Sequence, residues 1–305
     1  MIRKHTRRAA KAAFAISLGV AIVLGGTAAV ASAKPQAKPT ITVGNKNFTE
    51  EFILGQLYGQ ALQAKGFTVK YAGSLGSSEL ADAAIKSGKI NLLPEYTGVV
   101  VADIAKEKTP SSAAATFAAA KKFEETRGLT MLDPTPFYDT DTFTVLKSTA
   151  QKYGLKTIGD MKKVGSFSYA AFPECATRIT CLLGLKQIYG LKNVKFIPLS
   201  TISVYTLLDD GKATGGDGFS TDPQQATGKY VALTDTKHIF GFQNVAPIVS
   251  KSVLAAGGSA FSSTVNAVSS KLTLAAMQAM NKAVAIDKKT PAAVAAAFLK
   301  ANGLG

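Results

Sequence analysis

The sequence predicts an α/β fold of two lobes, and three observations lead there. Between Ile41 and Leu93, strand-like and helix-like patterns alternate, as in a parallel sheet covered by helices. A second alternating series runs from about 155 to 235. A late strand-like run, Val245-Ala246-Pro247-Ile248-Val249, then precedes a helical tail. A chain built this way crosses between its lobes twice, near 139–142 and again near 241–245. The groove between such lobes is a preferred place for a small ligand.

Ile41 to Gly44 reads as a short buried strand. Asn47 ahead of Phe48, with Glu50 three positions on, resembles a capping box that opens a helix. Ile53, Leu57 and Ala61 share one face of that helix, and Gly66 ends it. Phe67 to Tyr71 is the next strand, Ser77 to Gly88 the second helix and Ile90 to Leu93 the third strand. An Ala-rich helix follows over about 111–127, then strands near 129–132 and 143–147. In the second series, Val164 to Tyr169, Val194 to Pro198 and Gly216 to Ser220 are strands, with helices over 182–190 and 201–210. From 260 onward the pattern is helical, broken at Asp287 to Pro291.

The first thirty-three residues stand apart from this fold. Arg3, Lys4, Arg7, Arg8 and Lys11 form a basic start, an Ala- and Gly-rich apolar run follows, and Ala31-Ser32-Ala33 offers a cleavage site. That order is a secretory signal; the alternative is a retained anchor, since the run approaches the ~20 residues that span a bilayer. Without it about 270 residues remain, beginning near Lys34, enough for one large or two ordinary domains. The boundaries expected are 1–33 for the signal, 34–140 and 244–305 for the first lobe, and 141–243 for the second. The product is exported, to a periplasm or to the outer face of the cytoplasmic membrane.

The formal charge is +15, and losing the five signal cations leaves +10. Nucleic acid is not the expected partner, because the cations are spread thinly and no aromatic residues are interleaved with them. Cys175 and Cys181 are the only cysteines. In an exported chain such a pair is either a disulfide or two buried thiols. Six positions apart on one straight helix they point different ways, so a bridge demands a bent backbone between them.

Chemistry is sparse. His5 leaves with the signal and His238 stands alone beside Lys237, so neither a metal site nor a cofactor is expected. No nucleophile elbow or phosphate loop occurs, and the chain is not read as an enzyme. Glu50-Glu51 and Asp209-Asp210 are adjacent carboxylates, expected on solvated helix faces. Two positions do have a physical reason to face a groove, because open parallel sheets bind ligands at the carboxyl ends of their strands. Lys46 lies just past the first strand at a helix start, where backbone N–H groups also favour an anion. Tyr96 follows the third strand. Each also has a plainer reading, Lys46 as a solvated lysine and Tyr96 as an ordinary core aromatic.

Six segments are similar to one family: GNKNFTEEFILGQLYGQAL (44–62), LGSSELADAAIKSGKINLLPEYTG (75–98), YGLKTIGDM (153–161), PECATRITCLLGLKQIYGL (173–191), FSTDPQ (219–224) and NVAPIV (244–249). They resemble the glycine betaine, choline and carnitine binding proteins of osmoprotectant ABC transporters. The resemblance implies a type II periplasmic-binding-protein fold with two crossover strands, a quaternary-amine osmolyte as ligand, a transporter permease as partner and a monomer. It implies a carboxylate or orienting contact at Lys46, aromatic walls at Tyr96 and Phe219, an acidic position at Asp139, and a polar clamp from Glu174 and Arg178, four apart on the opening turn of a helix. Asp141 and Gln243 stand where relatives of that family place further tyrosines. The box then looks half aromatic and half polar, which implies weak betaine binding or a ligand whose amine can donate to Asp141.

Overall fold

The computed structural model describes residues 38–200 and 202–305. The signal segment 1–33, with its basic start and cleavage site, lies outside the described residues. No described helix is long and apolar enough to cross a membrane.

The first lobe opens with β1 (Ile41–Asn45), α1 (Thr49–Ala64), β2 (Val69–Ser74), α2 (Ser78–Lys86) and β3 (Leu92–Tyr96). A short turn, α3 (Thr97–Val99), runs into a π-helical turn over Val100–Ile104. Then come α4 (Ala113–Glu125) and β4 (Leu129–Met131). The second lobe comprises β5 (Asp141–Leu146), α5 (Lys147–Tyr153), β6 (Phe167–Ala171), α6 (Leu182–Gln187), β7 (Val194–Pro198), α7 (Val204–Asp209), β8 (Gly215–Phe219) and β9 (Tyr230–Leu233). The chain returns through β10 (Val245–Ser250) and ends in α8 (Lys251–Lys271), α9 (Leu274–Ala285) and α10 (Pro291–Ala301).

Each lobe holds a five-stranded sheet, and the two share one plan. The order is β2-β1-β3-β10-β4 in the first and β7-β6-β8-β5-β9 in the second. Four strands in each run the same way, and the one that enters from the other lobe, β10 or β5, runs antiparallel between two of them. This register sets the site. Asp141 at the start of β5 pairs with Phe219 at the end of β8, and Val245 at the start of β10 pairs with Tyr96 at the end of β3. The two crossings lie side by side: Tyr138 bridges Asn244, and Asp139 N–H donates to the Gln243 carbonyl at 3.0 Å. Gly98 permits this approach, since a Cβ there would meet the Phe242 carbonyl oxygen at 2.7 Å.

The central strands β1, β3, β6 and β8 are buried on both faces, so each lobe has two apolar cores. In the first, α1 packs Leu54, Leu57, Tyr58 and Leu62 against Phe261, Val265 and Leu299 of the terminal helices. The opposite face gathers Ile85, Ile90, Leu93 and Ala120. In the second lobe, Phe143, Tyr169, Leu185 and Tyr189 form one core, and Val204, Tyr205 and Leu208 the other.

The expected strands and helices are present with shifts at their ends. The second strand begins two residues later than Phe67, because Phe67 turns into the core below α1 instead of joining the sheet. The C-terminal helical region starts at Lys251, nine residues before the expected 260, and bends at Gly258, whose φ of 62° breaks the helix. Two elements went unread in the sequence: β9, a short edge strand, and α5, only two turns long. The segment holding Glu174 and Arg178 is a correction. It is a 3-10 turn over Pro173–Thr177, and Arg178 already has extended backbone. Cys175 and Cys181 close a disulfide across this bend, with a Cα–Cα distance of 5.2 Å.

Candidate ligand-binding site

Between the lobes lies a cleft of about 610 Å³, measured to its open mouth. All eight residues singled out in the sequence line it: Lys46, Tyr96, Asp139, Asp141, Glu174, Arg178, Phe219 and Gln243. They arrive from the carboxyl ends of β1, β3, β6 and β8 and from the two crossings, where a parallel sheet leaves its loops free for a ligand.

Four aromatic rings run through the cleft. Tyr96 and Phe48 stack with centroids 6.2 Å apart, Phe48 and Phe219 at 5.6 Å, and Phe219 and Phe172 at 6.4 Å. Phe48 and Phe172 were missed in the sequence. Each lies one to three residues past the end of a strand, and that position is the signal that could have found them. Ser77 and Ser78, at the start of α2, were also missed and add hydroxyls at the wall.

Lys46 is almost fully buried and is already engaged. Its ammonium pairs with Glu95 and, at 3.4 Å, with Glu51, and it rests 4.0 Å from the Tyr96 ring centroid and 5.6 Å from that of Phe48. The expectation that the start of α1 receives an anion does not hold. Phe48, not Asn47, occupies the cap position and makes no side-chain cap bond. The first turn is filled by the chain's own Glu50 and Glu51, both buried rather than solvated as expected. Glu50 accepts from the Tyr96 hydroxyl at 2.9 Å and from Asn281 Nδ2 at 2.9 Å. Glu51 accepts from Lys46 N–H at 3.2 Å. Adjacent positions on a helix do point apart, but here one meets Tyr96 and Asn281 and the other the buried lysine.

Arg178 does not pair with Glu174. It reaches across to the first lobe, donating from Nε and Nη2 to Glu79 at 3.1–3.2 Å, with Asp103 at 3.8 Å from Nε. Thr180 supports it by donating to Asp103 at 2.9 Å. Gln243 is spent on backbone, accepting from Val99 N–H at 3.1 Å and donating to the Phe240 carbonyl at 2.9 Å. It is a strut for the crossing, with one side of its amide on the cleft wall.

The carboxylates remain. Asp139 accepts from Ser220 and from Thr221 N–H through one oxygen, Oδ1. Asp217 accepts from the Tyr169 hydroxyl at 3.2 Å. Among the described residues, the Asp141 carboxylate accepts no hydrogen bond, and only its backbone is paired, with Phe219. Burial pushes Asp141 up to about 7, against the opposing pull of Arg178, and raises Asp139 and Asp217 well above the carboxylate range. Burial also raises Glu50. The cleft thus holds two cations, each committed to two carboxylates, and a surplus of acids facing the open space. No group of three or more metal-ligating side chains is assembled among the described residues.

Comparison with known proteins fits this geometry. Residues 39–301 match the family model described as the substrate binding domain of ABC-type glycine betaine transport systems. A glycine-betaine-binding protein of Pseudomonas aeruginosa is 32% identical over 87% of this chain and 88% of its own length. A carnitine transport binding protein of Listeria monocytogenes is 26% identical, covering 87% of this chain and 88% of its own. A crystal structure of a glycine betaine/carnitine/choline ABC transporter superposes with a TM-score of 0.70 at 24% identity, over 88% of this chain and 99% of that one. A choline binding protein in complex with choline shares the fold at TM-score 0.65 and 14% identity, over 87% and 89%. The match over nearly all the described residues settles membership: this chain belongs to the family of substrate-binding domains of ABC-type glycine betaine transport systems.

Proposed function

We propose that this chain captures a quaternary-amine osmolyte of the choline type in the cleft between its lobes and presents it to an ABC transporter permease. One observation carries the reading: both cations of the cleft are already paired, while Asp139, Asp141, Glu174 and Asp217 line it beside a row of aromatic rings. A trimethylammonium group donates no ordinary hydrogen bond, so ring faces and carboxylate charge are what hold it, each ring contributing about 0.5–2 kcal/mol. A betaine carboxylate would meet this acidic wall with no free cation opposite. Lobe 1 (34–140 and 244–305) and lobe 2 (141–243) close on the ligand, and the ligand favours the closed form by touching both. The protein works as an exported monomer outside the cytoplasm and performs no chemistry on its ligand.

Titration calorimetry on the chain beginning near Lys34 tests the assignment. Choline is expected to bind at least about tenfold more tightly than glycine betaine, roughly 1.4 kcal/mol. Equal or tighter betaine binding overturns the preference, and heat from neither overturns the ligand class.

A further inference from the structure

A second chamber of about 1120 Å³, measured to its mouth, lies on the far side of the Phe48–Phe219 stack. Asn47, Phe48, Asp139, Phe172, Asp217 and Phe219 line both spaces, so the partition is a row of rings with two carboxylates and one amide. The charge of this chamber is one-sided. Glu50, Asp139, Asp217 and Asp222 line it, and among the described residues no lysine or arginine does.

Among the described residues, two of its acceptors, Asn281 Oδ1 and Asp222 Oδ1, have no hydrogen-bond partner. Asn281 is 5% exposed, and its Nδ2 donates to Glu50 at 2.9 Å and to the Thr221 carbonyl at 3.2 Å. Two acceptors on that side fix the orientation of the amide, and its Oδ1 is then left buried with no partner. Such an orphan is destabilising unless a donor reaches it. Asp222 takes Phe219 N–H at 2.8 Å and the Tyr205 hydroxyl at 2.7 Å, both on Oδ2. The Tyr205 hydroxyl is therefore spent as a donor as well. Leu199, Val204, Pro223 and Ala285 supply apolar wall between these groups.

We infer that this chamber is a subsite for the far end of a longer cation: a primary ammonium group, rich in N–H donors, on a methylene chain whose trimethylammonium head sits in the first cleft. The inference rests on the cation reading proposed above. The head sits beside Asp141 and the rings, and the methylene chain passes the edge of the Phe48–Phe219 stack beside Asp139 and Asp217. The distal ammonium then donates to Asn281 Oδ1 and Asp222. A methyl end cannot satisfy those acceptors, so the subsite discriminates by hydrogen bonding as well as by length.

Two series of trimethylammonium compounds test this by calorimetry, lengthened one methylene at a time and ending in either a primary ammonium or a methyl group. Once the chain is long enough to reach, the ammonium-ended member is expected to bind about tenfold or more tightly than its methyl-ended partner. Asn281→Leu is expected to remove most of that gain while leaving choline binding unchanged. Choline binding with no advantage for the ammonium end at any length overturns the subsite alone. Failure of choline itself to bind overturns the underlying reading. Should Asn281→Leu not fold, the comparison of the two series on the unaltered protein still decides.

Discussion

Asp141 shows how one side chain can set the behaviour of the site. Burial holds its carboxyl near 7, with Arg178 pulling down and Asp103 pushing up. A bound quaternary cation favours the ionised form and lowers that value in the complex. Binding therefore expels a proton from Asp141 wherever the empty protein carries one. Affinity for choline is expected to rise with pH below about 7 and to level off above it, since an already ionised Asp141 has no proton left to lose. Asp141→Asn is expected to flatten this profile and to weaken binding at pH 8 by about tenfold, as for a lost buried charge partner. Titrations across pH 5 to 9 on both proteins check the point, and a parallel slope in the variant would move the proton to Asp139 or Asp217. Lys46 teaches the complementary lesson. Its position past β1 was legible, yet its duty was not, because Glu51 and Glu95 come from α1 and β3 and meet it only in the fold.

Among the elements, the turn from Pro173 to Thr180 carries the most function for its length. A proline at its start, a 3-10 turn and the Cys175–Cys181 bridge hold it off the helical path. That departure from a helix is what frees Arg178 to cross the cleft to Glu79 while Glu174 stays on the cleft wall. A straight helix would have stacked Glu174 and Arg178 as an i,i+4 pair on one face. Replacing both cysteines by serine is expected to cost about 2 kcal/mol of stability in the chain-entropy model for so short a loop. It is also expected to weaken choline binding several-fold, through a loosened Arg178 and Thr180. Chemical denaturation and calorimetry read the two effects separately. Lost stability with full affinity would reduce the bridge to a staple.

Across the whole molecule, the lobes touch through their own side chains. Arg178 holds Glu79 with both forks of its guanidinium, Thr180 holds Asp103, Gln278 Nε2 donates to the Ser220 carbonyl at 3.1 Å, and Phe48 stacks on Phe219. Glu79 lies outside the ligand cleft and is partly exposed, so its pair contributes only about 1 kcal/mol. Glu79→Gln is expected to enlarge the radius of gyration of the ligand-free protein in X-ray scattering, with saturating choline restoring the compact value. It should weaken choline about threefold to tenfold, because part of the closing energy must then come from the ligand. An unchanged scattering curve would mean that the remaining contacts suffice.

The sequence by itself determined the alternation of strands and helices, the late return strand and the two places where the chain crosses. Those features follow from local periodicity and from short-range turn chemistry, and both are written in neighbouring residues. It also placed Tyr96 and Lys46, because the end of a parallel strand is a position that sequence can specify. Tertiary structure decided everything that depends on which strand lies beside which. The antiparallel entry of β5 and β10 brings Asp141 against Phe219 and Gln243 beside Tyr96. It buries Glu50 and Glu51, turns Arg178 toward Glu79 and leaves Asn281 without a donor. Such partners are separated by up to 231 positions, as Glu50 and Asn281 are. No local pattern encodes a contact of that span, because only the packed lobes bring its two halves together.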